Sequence, residues 1–371
     1  MKIRVVSIIS RMNVGGPAIL LTDLLEHSPS ETFEHILITG KCEGNETDYL
    51  ASNPLAIEVI YINDIQRSIF LIKDIKAFLK LFFALKRIKP DIVHTHTSKA
   101  GAIGRLATLL ACPSTRIVHT FHGHLLHSYF KPWKIRLIVL LERTLAKFSE
   151  RLIAVSNQTK GDLVAAGVGR ENDWEVIHPG IRYKEKRGKK EIAKECFQVT
   201  WIGRFTKVKD PILALEAFAK VTSNSGDKYK LTMAGDGELL GECKIFASTL
   251  GLNVDFLGWT SNVSDLLSES DLLLFTSRNE GFGMVVVEAA LQKVPTISTD
   301  SGGVRDFITH SHTGLLVRDN PESLASAIIE MKLDNNKRKK LGSNAYELAV
   351  AEYSADNYNK KHFNLYKSII D

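Results

Sequence analysis

The stretch FTSRNEGFGMVVVEAA, Phe275 to Ala290, decides how this chain is read. A strand over Asp271 to Thr276 runs into a polar loop carrying Glu280 and then Gly281-Phe282-Gly283. Met284 leads into an apolar helix from Val285 to Leu291, which bears Glu288. Glycines at a strand-to-helix corner let backbone approach a ligand closely, and the first helical turn offers unpaired N–H groups to an anion. Glu280 and Glu288 flank that corner. Carboxylates repel a bare phosphate, but they suit a ligand with phosphates in its middle and hydroxyl-rich sugars at both ends. That is the outline of a nucleotide-sugar.

Cations that would offset those carboxylates lie upstream, in Trp201-Ile202-Gly203-Arg204-Phe205-Thr206-Lys207-Val208-Lys209-Asp210-Pro211. Gly203 ends a strand and Pro211 suits the first turn of a helix. Arg204, with its planar fork, and Lys209, a point charge, could clamp a diphosphate, or stand as solvated loop charges. Gly15-Gly16 follows the first strand, VVSII, and precedes a helix. It lacks the GxGxxG spacing of dinucleotide sites, so it is either a tight turn or a close approach to phosphate.

Strand-like and helical patterns alternate around these motifs. Beyond VVSII, strands are expected at 35–39, 57–62, 91–95, 116–121, 151–155 and 175–178, and again at 198–202, 230–234, 254–257, 271–276, 296–298 and 314–317. Helices are expected between them, including 69–88, 100–111, 133–148 and 158–166, then 211–221, 238–250, 263–268, 285–291, 321–332 and 335–350. Continuous apolar strands with intervening helices predict parallel sheets covered on both faces, in two α/β domains. The first spans 1–180 and the second 197–354. Between them Arg182 to Lys194 holds seven Lys or Arg and two Glu, read as an exposed basic linker over 181–196. Ligands of such sheets bind beyond the carboxyl ends of the strands, which places the expected site in a cleft between the domains.

Composition excludes several classes. The 371 residues suffice for two ordinary domains, and the 44% hydrophobic, 24% charged balance is that of a globular protein. A net charge of +6 and a pI near 8.9 favour anions weakly. The basic residues are dispersed and no recognition module is present, so nucleic acid is not expected. Cys42, Cys112, Cys196 and Cys243 are scattered, which reads as reduced thiols in a cytoplasmic protein. No secretory signal is expected, and Ile69 to Leu85 carries too many charges to span a bilayer.

Two histidine groups end neighbouring strands: His94 and His96, then His119, His122, His124 and His127. A metal site, a polar cleft lining with His122 toward the substrate, and plain hydrogen-bonded histidines are the readings; no nearby Cys, Asp or Glu completes a metal site. His127 to Arg151 holds six basic and two acidic residues with Tyr129, Phe130 and Trp133 near its start. It reads equally as a helix resting on an anionic membrane surface or as a core helix with a solvated basic face.

Taken together, these motifs resemble the retaining glycosyltransferases of the GT-B fold, the large family 4 that includes bacterial cell-surface polysaccharide transferases. The most specific piece is Glu280-x7-Glu288 inside NEGFGMVVVEAA. GRFTKVKD, AGDGEL, FLGW, Ser301-Gly302-Gly303 and GLLV stand in the family order, and NVGGP, HTHTSKAGAIGR, HTFHGH and LIAVS carry the first half. The resemblance implies two Rossmann-like domains facing a cleft, with a C-terminal helix over 355–371 crossing back to the first, acceptor-binding one. It implies that Glu280 binds donor-sugar hydroxyls with the Phe282 and Gly283 amides, and that Glu288 binds the ribose diol. Arg204 and Lys209 would hold the diphosphate with help from Gly16. His122 would lie beside the sugar and Gly258-Trp259 beside the base.

The resemblance further implies a UDP-sugar donor, no metal or other cofactor, and a saccharide or polyprenyl-linked saccharide acceptor. Anomeric configuration would be retained by front-face attack, with closure of the two domains about a hinge. The expected location is cytoplasmic, peripheral on the inner face of the plasma membrane, and the expected role is in capsule, exopolysaccharide or lipopolysaccharide synthesis. Alternatives are a UDP-sugar epimerase or hydrolase of the same fold, and a non-catalytic nucleotide-sugar binding protein. His178-Pro179-Gly180 and Arg305-Asp306 depart from the more frequent Pro-Asn-Gly and Pro-Glu.

Overall fold

A computed structural model describes residues 2–44, 46–66, 70–123, 132–183, 196–223, 229–260 and 262–371. His124, His127 and most of the expected linker lie outside them. The chain forms two units, Met1–Gly180 with Ala355–Asp371, and Ile181–Ser354.

The first unit runs β1 (Ile3–Arg11), α1 (Gly16–Glu26), β2 (Phe33–Gly40), α2 (Tyr49–Ser52), β3 (Glu58–Tyr61), α3 (Leu71–Ile88), β4 (Ile92–His96), α4 (Ser98–Ala111), β5 (Arg116–Phe121), α5 (Pro132–Ala146), β6 (Arg151–Ala154), α6 (Asn157–Ala165) and β7 (Trp174–Val176). Its strands pair in parallel in the order β3-β2-β1-β4-β5-β6-β7. Val5 to Ser10 of β1 are all buried, as a strand covered on both faces requires.

The second unit runs β8 (Phe197–Ile202), α7 (Pro211–Ser223), β9 (Tyr229–Ala234), α8 (Leu240–Thr249), β10 (Val254–Gly258), α9 (Val263–Ser268), β11 (Leu272–Phe275), α10 (Met284–Leu291), β12 (Thr296–Thr299), β13 (Leu315–Val317), α11 (Pro321–Leu333) and α12 (Asn335–Glu352). Its sheet, again parallel, has the order β10-β9-β8-β11-β12-β13. The order reverses between β8 and β11, and such a switch point opens a crevice at the carboxyl ends of the strands. Local chemistry sets the element ends. Asn320 accepts from the Ser323 amide at 2.8 Å while Pro321 fills the first position of α11.

The chain then returns to the first unit as α13 (Ala355–Ser368). Tyr366 Oη lies 2.6 Å from His94 Nδ1, Phe363 stacks on Phe33 at 5.3 Å, and Asn359 donates to Asp23 at 2.8 Å. The expected packing of this helix onto the first domain is therefore observed. The short α2 had no counterpart in the sequence pattern. It is a single turn, capped by the Asp48 carboxylate on the Leu50 amide, and too brief to show periodicity.

Candidate active site

The site of the second unit is built on loops leaving β8, β9, β10 and β11. Gly203 donates to Ala234 O at 3.0 Å, and Gly235 donates to Gly258 O at 2.7 Å. A Cβ on Gly235 would stand 1.9 Å from Gly203 O, so only glycine lets these two loops run backbone against backbone. Arg204 sits on this ledge, exposed, with no ion pair among the described residues. Trp259 is likewise mostly exposed beside Gly258.

Lys209 is held more tightly. Its loop turns through Lys209 N to Thr206 O at 3.0 Å and passes through Asp210 with φ 46°, a left-handed conformation unusual outside glycine. That turn is tied to the exit of β11. Thr276 Oγ1 donates to Asp210 O at 2.8 Å, Arg278 Nε donates to Asp210 Oδ2 at 2.6 Å, and Arg278 N donates to Val208 O at 2.8 Å. The result brings the Lys209 ammonium onto the Glu280 carboxylate as a part-buried ion pair, with the ammonium 5.2 Å above the Phe275 ring. The sequence pattern expected Arg204 and Lys209 to offset the carboxylates as well as hold a diphosphate; the structure makes Lys209 the direct partner of Glu280.

Glu280 is anchored through its backbone. Gly303 donates to Glu280 O at 2.8 Å, and Gly302, at φ 62°, lies so close that a Cβ would meet Glu280 O at 2.4 Å. Gly281 follows, and Gly283, at φ 87°, caps α10. The Met284 and Val285 amides fall in the first turn of that helix. Phe282 points into the core, stacked on Tyr353 at 5.4 Å, which leaves its backbone to serve the corner. Glu288 is half-buried on α10, and burial pushes its carboxyl up to about 7. Sequence reasoning missed two contributors. Asn279 buries an amide nitrogen with no partner among the described residues, and Asp210 fixes the turn that presents Lys209. Only their adjacency to Glu280 and Lys209 could have flagged them.

The remaining predicted residues, Gly15, Gly16 and His122, belong to the first unit. Gly15 is extended at the start of α1, and a Cβ there would meet only Asn13 O at 3.9 Å. Neither strain nor crowding within the protein demands a glycine at that position. At the ends of β4 and β5, His94 is bonded to Tyr366 and Thr120, and His119 to Thr95, as core hydrogen-bonding groups. His96 Nδ1 lies 3.0 Å from His122 Nε2. Burial lowers His122 to about 4, so it is neutral at pH 7. Among the described residues no three His, Cys, Asp or Glu converge as metal ligands would.

A paired cation and carboxylate beside a glycine corner, with a second carboxylate one helical turn on, suits group transfer from a nucleotide-sugar. The family described as Glycosyl transferases group 1 matches residues 182–348, and Glycosyltransferase Family 4 matches 14–185. The chain is 30% identical over 325 residues to an Escherichia coli enzyme, UDP-Gal:alpha-D-GlcNAc-diphosphoundecaprenol alpha-1,3-galactosyltransferase, covering 82% of each chain. It is 26% identical over 314 residues to the capsular polysaccharide biosynthesis glycosyltransferase CapM of Staphylococcus aureus, covering 80% of this chain and 82% of that one. Among solved structures, Anabaena Alr3699/HepE in complex with UDP and glucose matches with a TM-score of 0.83 at 22% identity, over 99% of this chain and 100% of that one. The protein is a glycosyltransferase of the GT-B fold. It belongs to the group 1, family 4 glycosyltransferases, which sets aside the epimerase, hydrolase and non-catalytic readings.

Proposed function

We propose that this enzyme moves a hexose or N-acetylhexosamine from a UDP-sugar to a saccharide carried on a polyprenyl diphosphate, with retention at the anomeric carbon. The observation that carries this reading is the Lys209–Glu280 ion pair beside the glycine corner of α10. It sets a cation for the leaving diphosphate next to a carboxylate for sugar hydroxyls. Arg204 and the first-turn amides of α10 add positive potential. Glu288, one turn on, accepts from the ribose diol, and Gly258-Trp259 serve the base. His122 is assigned to the donor sugar and Gly15-Gly16 to the diphosphate.

In this mechanism the bond from the anomeric carbon to the diphosphate oxygen breaks while the acceptor oxygen bonds the same face. The departing oxygen takes the acceptor proton. Charge stabilisation and positioning then supply the catalysis, with no protein nucleophile. Lys209 and Arg204 neutralise the diphosphate without a metal. The substrates of relatives support this choice. The Escherichia coli enzyme takes UDP-Gal and a diphosphoundecaprenol acceptor, and a Campylobacter jejuni relative acts on a PP-undecaprenol glycan. Work at the inner face of the plasma membrane, in capsule, exopolysaccharide or lipopolysaccharide synthesis, and membrane contact through 127–151 belong to the same reading. The test is UDP release from a panel of UDP-sugars with polyprenyl-linked acceptors, with the product anomer read by NMR. No UDP release from any member of the panel, or an inverted linkage, overturns it.

A further inference from the structure

The crossover helices α3, α4 and α5 form one layer. Each connects a strand to the next in the direction β3-to-β6, and α4 packs against both neighbours. The inward side of α3 is ordinary core, made by Ala77, Leu81 and Leu85. Its outward side is apolar too. Ile72, Ile75, Leu79 and Phe83 recur at helical spacing along the exposed face, with Ile72 72% and Phe83 64% exposed. Helix α5 repeats the pattern. Glu142 faces inward onto Arg105 of α4, while Trp133, Leu137 and Leu140 face out, 57%, 57% and 60% exposed. Leu106 and Leu110 of α4 are exposed as well. Isolated exposed leucines need no explanation, but three adjacent helices with apolar outer stripes do.

The charges around the stripes name the occupant. Lys73, Lys76 and Arg87 border the α3 stripe, and Lys134 and Arg136 border that of α5, all exposed. The acids of the two helices do not oppose them. Asp74 is paired with Lys99, and Glu142 is buried on Arg105. A second copy of this face would bring cation against cation with no countercharge. An anionic bilayer supplies both an apolar layer and negative headgroups. The stripe from Ile72 to Phe83 is about 16 Å long at helical rise, a line that lies in the interface. No described helix is long and apolar enough to cross a membrane.

We infer that the outer face of the α3–α4–α5 layer docks on anionic phospholipid, with α3 as its main inserting element. This deepens the membrane-contact part of the proposed reading, which rests on 127–151, by adding a helix outside that segment. The test is co-sedimentation with phosphatidylglycerol vesicles and with phosphatidylcholine vesicles, using the whole chain. Wild type should bind the anionic vesicles selectively and lose binding in high salt. The variant Ile72→Ser/Leu79→Ser/Phe83→Ser should bind at least about tenfold more weakly. Its transfer to a short water-soluble acceptor should be unchanged, since none of the three lies in the site. If that variant binds as wild type while Trp133→Ser/Leu137→Ser does not, the α3 inference is overturned and contact through 127–151 stands. Wild-type indifference to anionic vesicles overturns both. A dimer that the α3 variant splits also overturns the inference, in favour of a protein interface.

Discussion

The Lys209 ammonium is hydrogen-bonded to the Glu280 carboxylate, across 71 residues of sequence. Each side chain holds its partner in place, so the pair should behave as one catalytic unit. Glu280→Ala and Lys209→Ala are each expected to lower kcat/KM at least about 100-fold. The double variant should lose much less than the product of the two, because coupled residues are non-additive. Thermal midpoints should stay within a few degrees of wild type. Wild-type turnover in Glu280→Ala would remove the residue from the site.

Glu288 gives donor binding a pH dependence of defined sign. Its carboxyl is pushed up to about 7, and a ribose diol donates more strongly to the ionised form, which accepts at both oxygens. Donor affinity should rise from pH 6 to pH 8, by at most about tenfold, the change in the ionised fraction of a group with that pKa. Proton release on binding should be visible by calorimetry in buffers of different ionisation heat. Glu288→Gln should flatten the curve. The linked stability runs the other way. The folded state keeps a proton that the unfolded chain gives up near the usual glutamate value of 4.5, so stability declines from there to about pH 7.

Gly302 is a structural determinant of Glu280 geometry. An added Cβ would meet Glu280 O at 2.4 Å and its N at 2.7 Å, in a left-handed backbone. Gly302→Ala should cost about 1–3 kcal/mol by thermal unfolding and lower kcat further than that loss explains. Gly258→Ala is the control: its φ is also positive, at 68°, but nothing stands within 4 Å. It should cost about 1 kcal/mol from strain alone.

The Arg105–Glu142 pair is fully buried at 2.5 Å between α4 and α5. Glu142→Leu leaves a buried guanidinium without its counterion and should destabilise by about 3–5 kcal/mol in urea titrations. Adding Arg105→Met should recover most of that loss. If the double variant is no better than the single, packing rather than charge holds these helices.

Metal independence has a direct check. With Arg204 and Lys209 assigned to the diphosphate, transfer should survive dialysis against EDTA. Complete loss, restored by manganese, would assign that charge to a metal.

Much of the fold could be read in the chain because its strands are continuous apolar runs between helices of clear period. VVSII and the twelve other expected strands each coincide with an observed one, with ends displaced by a residue or two. Helix ends are less legible than strand positions: α5 stops at Ala146, short of the expected Phe148. The motif Glu280-x7-Glu288 was legible because both residues sit in one short segment. Which of the two cations would meet Glu280 was not, since that depends on a turn fixed by Asp210, Thr276 and Arg278. The outer stripe of α3 hid for another reason. Its inner and outer faces are both apolar, and a sequence pattern cannot say which of the two meets solvent.

The return of α13 has a consequence for the order of synthesis. Residues 355–371 cover Phe33, His94 and Asp23, which leave the ribosome more than 250 residues earlier. The contiguous unit Ile181–Ser354 can close as soon as it emerges, whereas the N-terminal sheet must wait with part of one face uncovered. The part of the enzyme made first is thus the last to become native, and a chain cut after Ser354 would lose the first unit while sparing the second.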